Sequence, residues 1–347
     1  MAATIRDIAE KAGCGVATVS SYLNGGNVRP ANRTRIESAI EELHYTVNET
    51  ARMLKTDRTR MIGAVIPELD STFCAQVLSE IEDVLRKHGY AMLVCDCRSD
   101  AGREKEAVDF LMNRRVDGLF VIPADSSGED LVDFQKSGKP LVLIDRQIDS
   151  VECSSVCVDN RRAIHSAVDL LTAKGHRKIG MIAGPQTNNA ARQRLRGFEQ
   201  ACEDHGIPAE DRFVYYGDDS IRSGTEGLRT LLEQSPDTTA VIASNYQMTM
   251  GVVIGVNEMG ISVPERLSLI GFDNPQFARA VHPKLTIVSQ PVQAIGERAA
   301  EIMLRKLDRD ANGTGPGTPG ISGGRDVAEH IWLETEIIEG HSVKTLP

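Results

Sequence analysis

The sequence predicts an α/β protein in which a small helical unit precedes a core of two similar parallel-sheet lobes. Two observations lead to this prediction. Up to about residue 46, apolar residues recur at helical spacing in short runs. From residue 61 onward, short apolar runs alternate with longer amphipathic segments, which is the pattern of β-α-β units and parallel sheets. The length of 347 residues agrees with two or three domains.

The stretch from Ile5 to Asn24 has the pattern of a helix-turn-helix. Its apolar positions share one helical face on either side of a glycine-bearing break: Ile5, Ile8, Ala9 and Ala12 before it, and Val16, Val19 and Leu23 after it. Gly13 suits the positive φ of the turn, and Thr4 with Asp7 three residues later suits a capping box. In this motif the second helix enters the major groove of DNA. A generic helical hairpin is the alternative.

A third helix is expected from Pro30, whose fixed φ suits a first helical position. Its apolar residues would complete a small core that Tyr45 closes: Ile36, Ala39, Ile40 and Leu43. A short helix-capable segment follows at 47–54, with Asn48 as its cap, and a basic link at 55–60 leads into the lobes. Two helical turns are not stable in isolation, so we expect this segment to order only when docked.

The charge is distributed unevenly along the chain. The net charge is −10, yet residues 1–60 hold nine Lys and Arg against seven Asp and Glu, which leaves 30 basic and 42 acidic residues for the rest. Only the N-terminal part is therefore positive. This division suits a protein whose head binds nucleic acid and whose body does not.

Nine strands are predicted in the core, in two series. They are 62–66, 91–95, 118–122, 141–144 and 155–158, then 178–183, 213–216, 240–243 and 268–271. MIGAVI at 61–66 and KIGMIA at 178–183 align at an offset of 117 residues. The two series thus predict two similar lobes, with a cleft where the carboxyl ends of their strands face each other. A last strand is expected over His330–Ile337.

Several classes of protein are not indicated. Seven cysteines without a CxxC pair are expected to be small buried residues rather than zinc or disulfide ligands. No stretch approaches the ~20 apolar residues of a membrane span, and no signal peptide is evident, so a cytoplasmic protein is expected. GxSxG, HExxH and Walker A motifs are absent, and the eight histidines lack ligand spacing. We therefore predict no enzyme, no cofactor and no metal site.

Seven motifs occur in order along the chain: TIRDIAEKAG with VATVSSYLNG, IEELHYTVNETARMLKTDRTRMIG, VDGLFVIPA, LVLIDR, GHRKIGMIAGP, RLRGF and LSLIGFD. From Thr4 to about Ile338 the sequence resembles the lactose/galactose-repressor family of bacterial transcription regulators. The resemblance implies a helix-turn-helix headpiece, a hinge helix and a two-lobed periplasmic-binding-protein-like core. It implies a homodimer on a palindromic operator. No leucine heptad precedes Pro347, so tetramers through a terminal coiled coil are not expected.

The implied domains are a headpiece at 1–46, a hinge helix and linker at 47–60, and an effector-binding and dimerisation core at 61–347. The first lobe would comprise about 61–159 plus 291–320, and the second about 160–290 plus 321–340. A free-standing sugar-binding protein would share the two-lobed core. The headpiece and the lack of a signal peptide argue against that alternative.

The resemblance and the docking geometry of helix-turn-helix proteins together imply a set of DNA contacts. The set is Arg6, Gly15, Val16, Ala17, Thr18, Ser20, Ser21, Tyr22, Asn24, Arg29, Asn32, Arg33, Tyr45, Asn48, Ala51, Leu54 and Lys55. Val16 and Ala17 offer methyl contacts to thymine, and Ser21 offers one hydroxyl where the family often has arginine. We therefore expect few direct contacts to base edges. The alternative for Ser21 is that its side chain faces solvent. Leu54 matches the hinge leucine that wedges into the minor groove, with burial in a linker helix as its alternative.

The resemblance also implies an effector site between the lobes. Its residues would be Ser71, Phe73, Asp145, Arg146, Arg194, Asn245, Asp273 and Gln290. A structural role is the alternative for each of them, since an aspartate at a strand end frequently caps the next helix. Carboxylates and guanidinium groups bracket hydroxyls, and an aromatic ring stacks on a sugar ring, so a small sugar is the expected effector. Tyr246 stands where the family usually has aspartate, which leaves a nucleoside or a phosphorylated sugar open. The sequence does not decide whether the effector releases the protein from DNA or recruits it.

Overall fold

A computed structural model of the chain describes residues 3–23, 26–45, 58–124, 126–148, 150–311 and 327–347, without the side chains of 310 and 311. By internal contacts the chain divides into two compact units, Met1–Thr59 and Arg60–Pro347. The hinge helix predicted at 47–54 lies outside the described residues.

The first unit is the predicted three-helix bundle. Its helices are α1 (Ile5–Lys11), α2 (Val16–Leu23) and α3 (Pro30–Glu42). The expected capping box begins α1, because the backbone N–H of Thr4 donates to Asp7 Oδ2 at 2.7 Å and the backbone N–H of Asp7 donates to Thr4 Oγ1 at 3.4 Å. Gly13 has φ +59°, as the turn requires. Ile8, Val19 and Ile36 are fully buried where the helices meet.

The second unit contains two α/β lobes. The first lobe begins with β1 (Met61–Ile66), α4 (Thr72–Lys87), β2 (Ala91–Asp96), α5 (Ala101–Asn113), β3 (Gly118–Val121), α6 (Val132–Lys136), β4 (Leu141–Ile144) and β5 (Ser154–Val158). The second contains α7 (Asn160–Ala173), β6 (Ile179–Ala183), α8 (Asn189–Asp204), β7 (Arg212–Tyr216), α9 (Ile221–Gln234), β8 (Ala240–Ala243), α10 (Tyr246–Glu258), β9 (Ser268–Phe272), α11 (Pro275–Ala280) and β10 (Thr286–Ser289). The chain then forms α12 (Val292–Ala311), β11 (His330–Leu333) and β12 (Glu336–Ile338).

The two sheets have the same strand order. They run β11-β5-β4-β3-β1-β2 and β12-β10-β9-β8-β6-β7. All neighbours are parallel except β10 and β12. The sequence echo at an offset of 117 residues therefore corresponds to a repeated lobe, as predicted. No helix among the described residues is long and apolar enough to cross a membrane.

The chain passes between the lobes three times. After β5 it enters α7, which packs against α8 in the second lobe, and after β10 it enters α12, which packs against α4 in the first. The third passage lies between β11 and β12. The prediction of one strand over His330–Ile337 in the second lobe is wrong, because β11 pairs with β5 of the first sheet. Residues 334–335 are Glu-Thr, and this polar break marks the end of β11 before β12 begins.

The strand β10 was not predicted. It has only four residues, TIVS, all of them buried, and such a short run does not distinguish a strand from part of a helix. Its position matters because Gln290 follows it directly, on the passage between the lobes.

Candidate functional site

The exposed face of α2 carries the residues predicted to read bases. Gly15, Ala17 and Ser21 are exposed and the Val16 side chain is 43% exposed, whereas Val19 is buried against α1 and α3. The helix sequence VATVSSYL contains no ionisable acid or base apart from the tyrosine hydroxyl. This face therefore offers methyl groups and hydroxyls rather than charged side chains that form bidentate hydrogen bonds. Thr18 and Ser20 are half-buried.

Two residues that are predicted to contact DNA, Tyr22 and Asn32, form hydrogen bonds within the first unit. The Tyr22 hydroxyl donates to Glu37 Oε1 at 2.9 Å, and this hydrogen bond raises the pKa of Tyr22. Arg35 Nη2 donates to Asn32 Oδ1 at 2.6 Å. Tyr22 would have to release Glu37 in order to donate this hydrogen to a phosphate, whereas the bond to Arg35 uses only the acceptor oxygen of Asn32 and not its Nδ2 donors.

The remaining predicted DNA contacts are either on the surface or outside the described residues. Arg6, Arg29 and Arg33 are exposed, and Tyr45 is half-buried against the headpiece core. Arg29 precedes α3 without a side-chain capping bond, so its guanidinium is not used at that helix end. The predictions that lie outside the described residues are Asn24, Asn48, Ala51, Leu54 and Lys55.

The structure brings all eight predicted effector residues into one cleft between the two lobes. The space between its walls is about 740 Å³, open solvent at the mouth included. The lining residues are Pro67, Glu68, Ser71, Phe73, Cys74, Ser99, Ile122, Asp145, Arg146, Asn188, Ala190, Ala191, Arg194, Asp219, Ser244, Asn245, Tyr246, Gln247, Asp273 and Gln290. Asp145, Asn245 and Asp273 each follow a strand, so the cleft lies at the carboxyl ends of both sheets.

Arg194 is fixed by three contacts in the second lobe. Its Nε donates to Asn160 Oδ1 at 2.7 Å, its Nη1 donates to the Ser244 carbonyl at 2.8 Å, and its guanidinium carbon lies 4.0 Å from the centre of the Phe272 ring. A cation over a ring face and two directed hydrogen bonds leave the guanidinium little freedom. It therefore presents its remaining donors to the cleft in a preorganised direction.

Asp273 and Gln290 form a buried pair beside Arg194. The Gln290 backbone N–H donates to Asp273 Oδ1 at 3.2 Å, and Gln290 Nε2 donates to Oδ2 at 2.8 Å. Burial raises the pKa of Asp273 to about 6, against the opposing effect of Arg194. The carboxyl is thus partly protonated near neutral pH, when it is able to donate as well as accept a hydrogen bond.

In the first lobe, Asp145 and Arg146 end the β4 segment. Asp145 has φ +64°, in the left-handed region, and its backbone N–H donates to the Val156 carbonyl at 2.9 Å. Arg146 Nη1 donates to the Pro123 carbonyl at 2.6 Å, and its Nε lies 3.6 Å from Asp145 Oδ2. A strained backbone held by hydrogen bonds at a strand end is typical of a functional position.

Two predicted effector residues cap helices at the same time. Ser71 Oγ accepts from the Cys74 N–H at the start of α4, and Asn245 Oδ1 accepts from the Met248 N–H at the start of α10. Asn245 Nδ2 also donates to Asp219 Oδ1 at 2.6 Å. The alternative role of helix cap therefore applies to Ser71 and Asn245, whereas Asp145 and Asp273 are not the caps of the helices that follow them.

The cleft contains residues that the sequence prediction missed. Glu68 and Asp219 follow β1 and β7, and this position after a strand, which Asp145 and Asp273 share, is a signal that could have found them. Burial raises the pKa of Asp219 to about 6, and burial followed by the charge of Asp70 raises the pKa of Glu68. Carboxyl groups perturbed in this way mark a binding site. Within the described part of the chain, no group of His, Cys, Asp or Glu residues could hold a metal ion.

Comparisons with known proteins agree with this arrangement. Residues 59–318 match the family model described as periplasmic binding proteins and sugar binding domain of LacI family, and residues 4–48 match that of bacterial regulatory proteins, lacI family. Catabolite control protein A of Priestia megaterium is 30% identical over 89% of this chain and 94% of its own length. The HTH-type transcriptional repressor CytR of Escherichia coli (strain K12) is 31% identical over 90% and 92%.

One of the similar solved structures is a complex of the transcriptional regulator CelR with cellobiose. It is 27% identical, covers 98% of this chain and 99% of its own, and superposes with a TM-score of 0.71. Both the headpiece and the two-lobed core thus have counterparts in one family of DNA-binding regulators. The chain belongs to the lacI family of bacterial regulatory proteins.

Proposed function

We propose that this protein is a dimeric repressor of carbohydrate-utilisation genes that binds a palindromic operator through α2. A small polyhydroxylated effector bound in the cleft between the lobes would control its affinity for the operator. Such a regulator acts in the cytoplasm, where its DNA lies. The observation that carries the proposal is the gathering of Asp145, Arg194 and Asp273 in one cleft of a chain that also bears a helix-turn-helix unit.

The cleft suits a compound with several hydroxyls. Carboxylates and guanidinium groups face it from both lobes, and Phe73 and Tyr246 supply aromatic walls. This combination of a few convergent polar groups with apolar surface is the usual composition of a sugar site. Cellobiose occupies the related regulator CelR, which supports the same class of ligand for this chain.

The proposed mechanism is a shift between two conformations of the core. The effector contacts groups from both lobes, so it binds more tightly to the conformation in which they are closer together. A ligand shifts an equilibrium only by its difference in affinity for the two states. A coupling free energy of roughly 1–3 kcal/mol would change operator affinity about 5–150-fold.

The experiment that tests this function begins with the full chain and a randomised DNA library. Selected sequences should be palindromic, and the core fragment 60–347 should not bind them. Thermal-shift screening against sugars and nucleosides then identifies an effector, and operator titration with and without it gives the coupling. The Asp145→Asn variant should keep operator affinity and lose the response to the effector. Selection of no specific DNA sequence would contradict the proposal.

We also propose base readout by α2 and a minor-groove wedge by Leu54. Ser21→Ala should change the preference at a base pair in each half-site, and an unchanged profile would exclude a readout role for this hydroxyl. Leu54→Ala should weaken operator binding and reduce the DNA bend. An unaltered bend would exclude the wedge.

A further inference from the structure

The cleft is lined by more carboxyl groups than guanidinium groups. Four carboxyl groups line it, two from each lobe, against the two guanidinium groups of Arg146 and Arg194; the four are Glu68, Asp145, Asp219 and Asp273. Both arginines are already hydrogen-bonded to protein carbonyl or amide oxygens. With every group ionised, these side chains leave the cleft with two negative charges in excess.

Two buried acceptors of the cleft, Asp145 Oδ1 and Gln290 Oε1, have no hydrogen-bond partner among the described residues. The side chains of Asp145 and Gln290 are only 8% and 6% exposed. One donor of the cleft, Arg146 Nε, is also without a hydrogen-bond partner, and it lies 3.6 Å from Asp145 Oδ2. The unpartnered acceptors therefore outnumber the unpartnered donor. A buried acceptor without a partner is unfavourable, so a ligand that donates hydrogen bonds to these atoms removes that unfavourable contribution when it binds.

Asp219 places one of these charges at the cleft wall without an arginine bonded to it. Its Oδ1 accepts only from the neutral amide of Asn245, at 2.6 Å, among the contacts described. Burial is the largest effect on this carboxyl group and raises its pKa, whereas the charges of Arg146 and Arg194 lower the pKa and those of Glu68 and Asp145 raise it to a smaller extent. A ligand cation that is hydrogen-bonded directly to Asp219 would therefore favour the ionised form that burial disfavours.

We infer that the effector carries a positively charged nitrogen, as an amino sugar or another amine-bearing polyol does, and that Asp219 makes the cleft reject anionic sugars. The inference rests on the proposed role of the cleft as the effector site. The ammonium group would donate to acceptors that are buried without partners, and its charge would offset the excess carboxylates. A phosphate or carboxylate on the ligand would instead add a third uncompensated negative charge.

The experiment compares matched ligands on the full-length protein at constant ionic strength. Tris(hydroxymethyl)aminomethane is compared with its neutral analogue tris(hydroxymethyl)ethane, and glucosamine and galactosamine are compared with the parent sugars and their 6-phosphates. Thermal shift and calorimetry should rank amine above neutral compound above phosphate. Asp219→Asn should weaken binding of the amines roughly tenfold, as expected for a hydrogen bond to a charged group, and leave neutral compounds unchanged.

Asp109→Asn is the matched control, because Asp109 is an exposed carboxylate outside the cleft. The Asp109→Asn variant should change neither the order of affinity among amine, neutral compound and phosphate nor the affinities themselves. If Asp219→Asn does not fold, Glu68→Gln removes another of the four charges and should act in the same direction. Amines that bind no better than their neutral analogues, or not at all, overturn the inference, as does tighter binding of a phosphate. Operator binding is measured on the same preparation. A protein that binds its operator but does not prefer amines contradicts this inference alone, whereas a protein that binds no operator contradicts the proposed function.

Discussion

Gln247 Nε2 of the second lobe donates a hydrogen bond to Glu68 Oε2 of the first lobe at 3.0 Å, and so joins the lobes beside the cleft. A second connection lies at Ser126, whose hydroxyl donates to the Thr187 carbonyl at 3.1 Å and accepts from Arg192 Nη2 at 3.0 Å. These polar contacts link the two lobes, whereas each apolar cluster of the second unit lies within one lobe. Protein hydrogen bonds exchange with hydrogen bonds to water at a small net cost, so we expect these contacts to allow the lobes to separate.

Gln247→Ala should open the cleft. A hydrogen bond to a charged acceptor contributes about 1.5–3 kcal/mol when buried, and less at this partly exposed position. We expect a larger radius of gyration in small-angle scattering and roughly fivefold weaker binding of the effector. Gln200→Ala is the control, because Gln200 bonds Asp204 four residues away within one helix. An unchanged radius of gyration would show that this contact does not hold the lobes together.

Asp273→Asn should stabilise the protein. The raised pKa of Asp273 means that the folded chain holds a proton more tightly than the unfolded chain between pH 3.8 and about 6. Stability is therefore lost as the pH rises through this window, by an amount on the order of 2 kcal/mol at pH 7. Asparagine removes the charge, and its Nδ2 is able to donate to the unpartnered Oε1 of Gln290.

The measurement is the melting temperature of Asp273→Asn and of the original chain at pH 5 and pH 7. The stabilisation should be larger at pH 7, and effector binding should be weakened, because this carboxyl group lines the cleft. Asp109→Asn provides the control for removal of an exposed charge. A variant that is less stable than the original chain at pH 7 would show that the ionised carboxylate is favourable where it lies.

His176 and His165 should give opposite dependences of stability on pH. His176 is fully buried between Thr239 Oγ1 and the Lys344 carbonyl, and burial lowers its pKa. The unfolded chain then takes up a proton first as the pH falls below about 6.5, so stability decreases toward acid. For His165, hydrogen bonds to Asp204 and then Asp169 raise the pKa, so its contribution is present at low pH and is lost as the pH rises.

Urea unfolding between pH 5 and pH 8 measures both effects. His176→Gln should flatten the loss of stability toward acid, and His165→Gln should steepen it. Parallel pH profiles for the two variants would contradict the assignment of opposite pKa shifts.

The local pattern of the sequence was sufficient to predict most of the fold. The capping box of Thr4 and Asp7 and the strand of LVLI at 141–144 depend on neighbouring residues alone, so they were visible in the sequence. The nine strands of the two predicted series were found to within a residue at each end, because a buried parallel strand is a short apolar run. The eight cleft residues came from the resemblance and from the position of polar residues after strands.

The features that were not predicted depend on contacts between residues that are far apart in the sequence. The polar residues after β11 show where that strand ends, but they do not show that β11 and β12 join different sheets, because pairing with β5 and β10 depends on residues far away in the sequence. The position of Asp219 after β7 was a local signal that the resemblance did not include, whereas its hydrogen bond to Asn245, 26 residues later, is visible only in the folded chain. Cleft residues such as Glu68 and Gln247 likewise meet across lobes, at a separation of 179 residues.

Thr4→Ala should weaken operator binding through the stability of the headpiece. Loss of an N-cap is typically worth ~1 kcal/mol, and a unit of about 45 residues with so small a core has little stability to spare. The folded fraction of the headpiece should therefore fall on heating, and operator affinity should decrease more steeply with temperature than in the original chain. Thr4→Ser keeps the capping hydroxyl and should behave like the original chain. Effector binding depends on the second unit, so its thermal shift should be identical in all three proteins. A Thr4→Ala protein with unaltered operator affinity up to the melting of the core would show that the capping box does not limit the stability of the DNA-binding unit.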